Sequence, residues 1–117
     1  MDERILKWLY DIKMAIEEID SFFIEEQKDF FIYRNNVMLK RAVERNLEII
    51  GEALNRVTTR DNSFTDKISN AKAIIGLRNK VIHAYDNISD ENIWSILTSH
   101  LPKLKLEVDA LIKENEK

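Results

Sequence analysis

Apolar residues recur at helical spacing over most of the chain, and the first half contains two such stretches. One covers residues 3–23 and the other residues 35–58. In both, the apolar positions repeat every three or four residues, which predicts amphipathic helices with one buried face each. The positions are Ile5, Leu6, Leu9, Ile12, Ile16 and Ile19 in the first stretch, and Leu39, Val43, Leu47, Ile50, Leu54 and Val57 in the second.

The second half of the chain predicts two more helices. A third helix is expected over residues 66–84, followed by a polar break. Ser89 is a plausible N-cap of a fourth helix, because a serine oxygen accepts a hydrogen bond from a free N–H of the first turn. Pro102 is expected either to kink this helix or to restart it with Ser99 as a new cap.

Two connections separate these helices. Residues 25–33 predict a brief helix or a tight connection, and residues 59–65 predict a polar loop in which Phe64 is the anchor. The first connection is rich in aromatic residues, which are expected to cap the core, with base stacking as the alternative. These residues are Phe30, Phe31 and Tyr33.

Composition supports a helical fold. A chain of 117 residues with 44% hydrophobic and 33% charged residues indicates a single globular domain, residues 1–117. It contains two glycines and one proline. Sandwiches and barrels need many turns, so this scarcity disfavours them. The expected fold is all-α, an up-and-down bundle of four to five helices.

Charge and residue usage limit the classes of function. The net charge of −3 counts against general coating of nucleic acid, although a local basic cleft remains compatible with it. The absence of cysteine excludes disulfides and thiolate metal sites. No apolar run approaches the roughly 20 residues of a membrane span, and no secretory signal is visible. We therefore expect a cytoplasmic protein with no cofactor and no metal.

The two glycines lie in matching tripeptides, residues 49–51 and 74–76, inside predicted helices. A glycine within a helix costs roughly 1 kcal/mol relative to alanine. Close approach of another helix would offset this cost. The approaching helix belongs either to the same bundle or to a second copy of the chain.

The candidate chemistry is concentrated in four residues near the end of the third helix: Arg78, Asn79, His83 and Tyr85. A guanidinium stabilises charge on a phosphate, and an imidazole moves a proton near neutral pH. Taken singly, each residue is more often structural. Arg78 and His83 are about 140° apart around an ideal helix. They would converge through the reach of the arginine, a distorted last turn, or a second copy in a two-fold dimer.

The pattern Arg-x4-His-x-Tyr resembles the signature of the HEPN superfamily, and specifically of its HepT-like toxins. The similarity extends in order over most of the chain, including residues 41–54, 74–79, 92–94 and 101–102. It implies an all-α homodimer that cleaves RNA without a metal at a cleft formed by the dimer. By this resemblance, His83 would assist proton transfer, Arg78 would hold the scissile phosphate, and Asn79 would orient the site.

The resemblance also implies a partner, a minimal nucleotidyltransferase that acts as antitoxin and attaches AMP to Tyr85. A bulky anionic group two residues from His83 would block the groove and repel RNA phosphates. The alternative function is a non-catalytic helical module that binds or regulates a nucleotidyltransferase, and the acidic pI near 5.4 favours it modestly. A purely structural dimer module would leave the four polar residues without a role. His100, on another predicted helix, is left out of the site.

Overall fold

The computed structural model describes residues 2–23, 29–83 and 89–115, and for residues 78–83 it describes the backbone alone. Every regular element in these ranges is helical, which confirms the all-α prediction. The elements are α1 (Glu3–Ser21), α2 (Phe30–Arg34), α3 (Val37–Arg60), α4 (Phe64–Lys67), α5 (Ala71–His83), α6 (Asp90–Ser95), a π-helical turn (Ile96–His100) and α7 (Leu101–Asn115).

Helix α3 is the centre of the bundle. Its most extensive contacts are with α1 and α5, and α7 packs on α1. The apolar stripes predicted for α1 and α3 form the core together with residues of α5, α6 and α7. Fully buried side chains include Leu9, Ile12, Ile16, Ile19, Leu47, Ile50, Leu54, Ile74, Ile93 and Leu97. The periodicity of the first two helices was therefore a reliable guide to the buried face.

Side-chain caps fix where the helices begin. The carboxylates of Asp2 and Asp29 accept hydrogen bonds from the first backbone N–H groups of α1 and α2. Asn36 caps α3 in the same way. The predicted cap at Ser89 is confirmed, because its hydroxyl accepts a hydrogen bond of 3.1 Å from the N–H of Asn92. These caps satisfy donors that have no partner within a helix.

The predicted third helix is interrupted, so the expectation of one helix over residues 66–84 was wrong. The chain forms the short α4, breaks at residues 68–70, and starts α5 at Ala71. At the break, Glu107 of α7 accepts hydrogen bonds from the N–H of Ser69 at 3.0 Å and from its hydroxyl at 2.7 Å. The loop predicted over residues 59–65 is correspondingly shorter, because α3 continues to Arg60. Phe64 is buried as expected.

Pro102 neither restarts the helix nor gives Ser99 a capping role. The helix runs from Asp90 to Asn115 through one π-helical turn, in which the N–H of Leu101 donates to the carbonyl of Ile96. A proline cannot donate to the carbonyl four residues before it, and its ring clashes with that carbonyl in an α-helix. The wider π turn immediately before Pro102 accommodates both effects.

The aromatic residues of the first connection separate into two groups. Tyr33 is fully buried and Phe30 partly so, which confirms that they cap the core. Phe31 is 67% exposed, so the same prediction was wrong for its ring. Among the described helices, none is long and apolar enough to cross a membrane.

Candidate active site

The predicted catalytic residues fall at the end of α5. Arg78, Asn79 and His83 belong to its last two turns, and His83 is its final residue. The described backbone places them on this helix, while their side chains lie outside the description. Tyr85 lies outside the described residues altogether. Its role and those of the other three remain predictions.

The backbone of α5 narrows the ways in which these residues can converge. The backbone is α-helical through His83, which gives no support to the distorted last turn considered from the sequence. In this geometry Arg78 and His83 are separated by about 140° around the helix and about 7.5 Å along it. Asn79 lies one turn before His83 on the same face. The other two ways in which Arg78 and His83 could converge are the reach of the arginine side chain and the contribution of a second copy of the chain.

The end of α5 lies beside the first half of α3. Helix α5 begins near the end of α3, where Ala71, Lys72 and Ile75 line one pocket with Thr58 and Thr59. Its 13 residues then return along α3 for about 20 Å. Counted back along α3 from Thr58, the same length covers 13 residues. The end of α5, which contains the Arg-x4-His pattern, therefore lies at the level of about residue 45 of α3. The candidate site is thus at the opposite end of the bundle from this pocket.

An ion pair joins the start of α3 to the start of α6 at this same end. The Lys40 ammonium contacts both carboxylate oxygens of Asp90, at 3.1 and 3.2 Å. Both side chains are about three-quarters buried. Because Asp90 follows the capping residue Ser89, this pair ties the first turn of α6 to the first turn of α3.

Tyr33 belongs to a cluster of aromatic rings at this end of the bundle. Its ring centroid is 5.4 Å from that of Trp94, which in turn contacts the rings of Phe23 and Phe30. Burial raises the pKa of the Tyr33 phenol above its ordinary value, and the negative charges of Glu44 and Asp90 raise it further. Its buried hydroxyl has no hydrogen-bond partner within the described part of the chain.

Sequence reasoning missed the ion pair between Lys40 and Asp90, whereas it expected Tyr33 to cap the core. Lys40 and Asp90 are 50 positions apart. No local pattern links such residues, and the acidic start of α6 was interpreted only as a match to the helix dipole.

The two glycines differ in their surroundings. Gly51 is buried in α3, in keeping with packing inside the bundle. A Cβ added at Gly76 would meet none of the described residues within 4 Å, so close packing against them does not explain a glycine there. Gly76 precedes His83 by seven residues, about two turns, and shares its side of α5.

His100 lies in the π-helical turn, on a helix other than α5. Its imidazole is partly exposed overall, and its Nδ1 atom is buried. Among the residues whose side chains are described, no three of the His, Cys, Asp or Glu type are grouped closely enough to hold a metal ion.

Comparison with known proteins places this chain in a family. The family model described as "Ribonuclease HepT-like" matches residues 12–111, which include α5 and the whole motif. The chain belongs to the HepT-like ribonuclease family. The resemblance noted in the sequence is thereby confirmed.

Individual relatives agree with the family over nearly their full length. "Putative RNase MJ1380" of Methanocaldococcus jannaschii is 38% identical, covering 95% of this chain and 100% of its own. "Putative RNase MJ0125" of the same organism is 32% identical, covering 99% of this chain and 98% of its own. "Probable ribonuclease HepT" of Thermococcus cleftensis is 31% identical over 91% of this chain. No solved structure matches the chain.

Proposed function

We propose that this HepT-like chain is a metal-independent endoribonuclease and the toxin of a toxin–antitoxin pair. The observation that carries the proposal is the position of Arg78, Asn79 and His83 in the last two turns of α5, in a chain that the ribonuclease family model covers. The relatives' names support ribonuclease activity. The metal independence, the toxin role and the roles of individual residues are carried over from the family resemblance.

The proposed chemistry is a transesterification. The ribose 2′ oxygen forms a bond to phosphorus while the bond from phosphorus to the 5′ oxygen breaks. The proton lost at the 2′ oxygen is matched by one gained at the 5′ oxygen, and His83 assists this transfer as general acid–base. Arg78 holds the phosphate and stabilises its developing charge, and Asn79 orients the site. The products are a 2′,3′-cyclic phosphate and a 5′-hydroxyl.

The proposed active form is a homodimer. In an α-helix, positions 78 and 83 are about 140° apart around the axis. In a two-fold dimer, two copies of the helix end would supply two arginines and two histidines to one groove. The α-helical backbone through His83 supports this arrangement, because it keeps the two positions on different sides of one helix.

The proposed regulator is a minimal nucleotidyltransferase that neutralises the toxin in the cytoplasm by attaching AMP to Tyr85. The added phosphate would place negative charge beside the groove and repel the RNA backbone. A second candidate function is a non-catalytic partner of such a nucleotidyltransferase. The acidic net charge of −3 favours it, because general RNA binding usually accompanies a basic surface.

The test is cleavage of a labelled RNA pool in EDTA by the native chain, Arg78→Ala and His83→Ala. The matched controls are Arg56→Ala and His100→Ala, which replace the same residue types on α3 and in the π turn. We expect cleavage with cyclic-phosphate ends by the native chain and both controls, and a loss of at least about 100-fold in the two site variants.

Equal cleavage by all five proteins would reject the site assignment. Absence of cleavage by the native chain, with Tyr85 shown by mass spectrometry to be unmodified, would favour the non-catalytic partner. Both site variants are compared with the native chain by sedimentation, so that loss of activity is separated from loss of the dimer.

A further inference from the structure

The corner where α2 meets α3 combines exposed apolar side chains with exposed arginines. We call it the corner surface and define it by Phe31, Arg34, Met38, Arg41 and Arg45. Phe31 and Arg34 lie one turn apart on α2. Met38, Arg41 and Arg45 lie at positions i, i+3 and i+7 of α3, which is one face of a helix. Two residues join the halves, so the five form a strip that is continuous along the sequence.

Phe31 is exposed and yet held in place. Its ring is 67% exposed. One edge rests on Phe30, with ring centroids 6.1 Å apart, and Phe30 contacts Trp94 of the aromatic cluster. Asp29 accepts a hydrogen bond of 2.8 Å from the Phe31 N–H and so caps the turn below the ring. The ring is therefore a supported flat face open to solvent, while Met38, 83% exposed, adds apolar surface nearby.

The arginines of the corner surface project outward past their acidic partners. The guanidinium of Arg41 is 3.2 Å from Glu44, and that of Arg45 is 3.2 Å from Glu48. The arginine side chains are 76% and 70% exposed, whereas the two glutamates are 23% and 28% exposed. Such exposed pairs are weak and exchange partners readily. Arg34 is exposed too.

This combination fits single-stranded nucleic acid. An exposed, supported aromatic ring stacks on an unpaired base, and guanidinium groups beside it contact the phosphates. A duplex would not offer its stacked bases to the ring. Three arginines beside two less exposed glutamates leave an excess of positive charge at this surface, which is complementary to a polyanion.

We propose that the corner surface binds single-stranded RNA beside the candidate site, with Phe31 stacking on a base and the three arginines contacting phosphates. The inference rests on the proposed ribonuclease function and specifies its substrate as unpaired RNA. The location agrees, because α5 returns along α3 to about the level of Arg45, at the same end of the bundle.

The experiment measures binding separately from cleavage. The probe is a labelled single-stranded RNA with 2′-O-methyl riboses, which lack the attacking hydroxyl. Fluorescence anisotropy is recorded over a salt series for the native chain, Phe31→Ala and Arg41→Gln. The matched controls are Leu106→Ala, whose side chain is 71% exposed on α7, and Arg56→Gln, which removes another exposed arginine paired with a glutamate on α3.

We expect Phe31→Ala to weaken binding about tenfold, because stacking on an aromatic ring is lost. Arg41→Gln should lower the slope of log affinity against log salt by about 0.7, the loss of one phosphate contact with a single strand. Both controls should bind like the native chain. With the complementary strand annealed, Phe31→Ala should bind like the native chain, since no unpaired base remains.

Binding by Phe31→Ala and Arg41→Gln that equals native binding would overturn the inference, and so would a native chain that binds no RNA. A change in oligomeric state in both variants would also overturn it, because the corner surface would then be a contact between copies of the chain. If the native chain cleaves RNA in EDTA but Phe31→Ala and Arg41→Gln bind RNA as the native chain does, this inference alone fails. Phe31-dependent binding without cleavage means that the proposed catalysis alone fails.

Discussion

Tyr33 shows at the scale of one residue how burial limits chemistry near the site. Its ring packs on Trp94, its hydroxyl is buried, and the negative charges of Glu44 and Asp90 act on it. A phenolate in this position would lose hydration and meet negative charge, so both influences hold the phenol in its protonated form. Tyr33 is therefore unsuited to act as a base at neutral pH, and its part in the molecule is structural.

The raised pKa of Tyr33 makes a prediction for alkaline stability. In the unfolded chain this phenol ionises near its ordinary value of 10.0, whereas in the folded chain it stays protonated to higher pH. Above pH 10 the unfolded state therefore holds fewer protons, and the free energy of unfolding falls as pH rises, by up to about 1.4 kcal/mol per pH unit. Tyr33→Phe removes this contribution.

Denaturant unfolding of the native chain and Tyr33→Phe between pH 8 and pH 11 tests the prediction, with Tyr10→Phe as the control for a more exposed tyrosine. We expect the native curve to fall more steeply than the Tyr33→Phe curve above about pH 10. Parallel curves for the two proteins would show that the Tyr33 hydroxyl ionises as readily in the fold as in water.

At the scale of elements, the two serines considered as helix caps provide a matched pair. Ser89 accepts a hydrogen bond from the N–H of Asn92, while Ser99 lies exposed within the continuous helix that surrounds Pro102. We expect Ser89→Ala to lower the free energy of unfolding by about 1 kcal/mol and Ser99→Ala to change it by less than about 0.5 kcal/mol. Urea denaturation measures both. An equal loss in the two variants would mean that α7 has a cap of its own.

The elements also show what the sequence predicted and where it stopped. The stripes of α1 and α3 were predicted well because periodicity is local information. The break before α5 was missed because Ser69 is bonded to Glu107, 38 positions away. The candidate site shows the same difference between local patterns, which the sequence predicted, and tertiary contacts, which it did not. The motif was found on one helix from its spacing, but the link between Lys40 and Asp90 belongs to tertiary structure.

At the scale of the whole molecule, the proposed dimer needs a contact surface. Gly51 is buried inside the bundle, whereas none of the described residues comes within 4 Å of a Cβ added at Gly76. Gly76 also lies on the side of α5 that leads to His83. A helix keeps a glycine at such a position, at a cost of roughly 1 kcal/mol, when another backbone must approach it. We therefore expect the proposed dimer to pack against Gly76.

The substitution Gly76→Ala separates packing between copies from packing within one chain. The new methyl group meets none of the residues that the structure describes, so the free energy of unfolding of the monomer should rise by about 0.5–1 kcal/mol. The same methyl group should obstruct a second copy and weaken self-association, measured by sedimentation equilibrium. Lys72→Ala, an exposed change earlier on α5, is the control and should leave association unchanged. If the monomer became more stable while self-association stayed as in the native chain, the dimer contact would lie away from Gly76. The cleft formed by the dimer would then have to use a different face of α5.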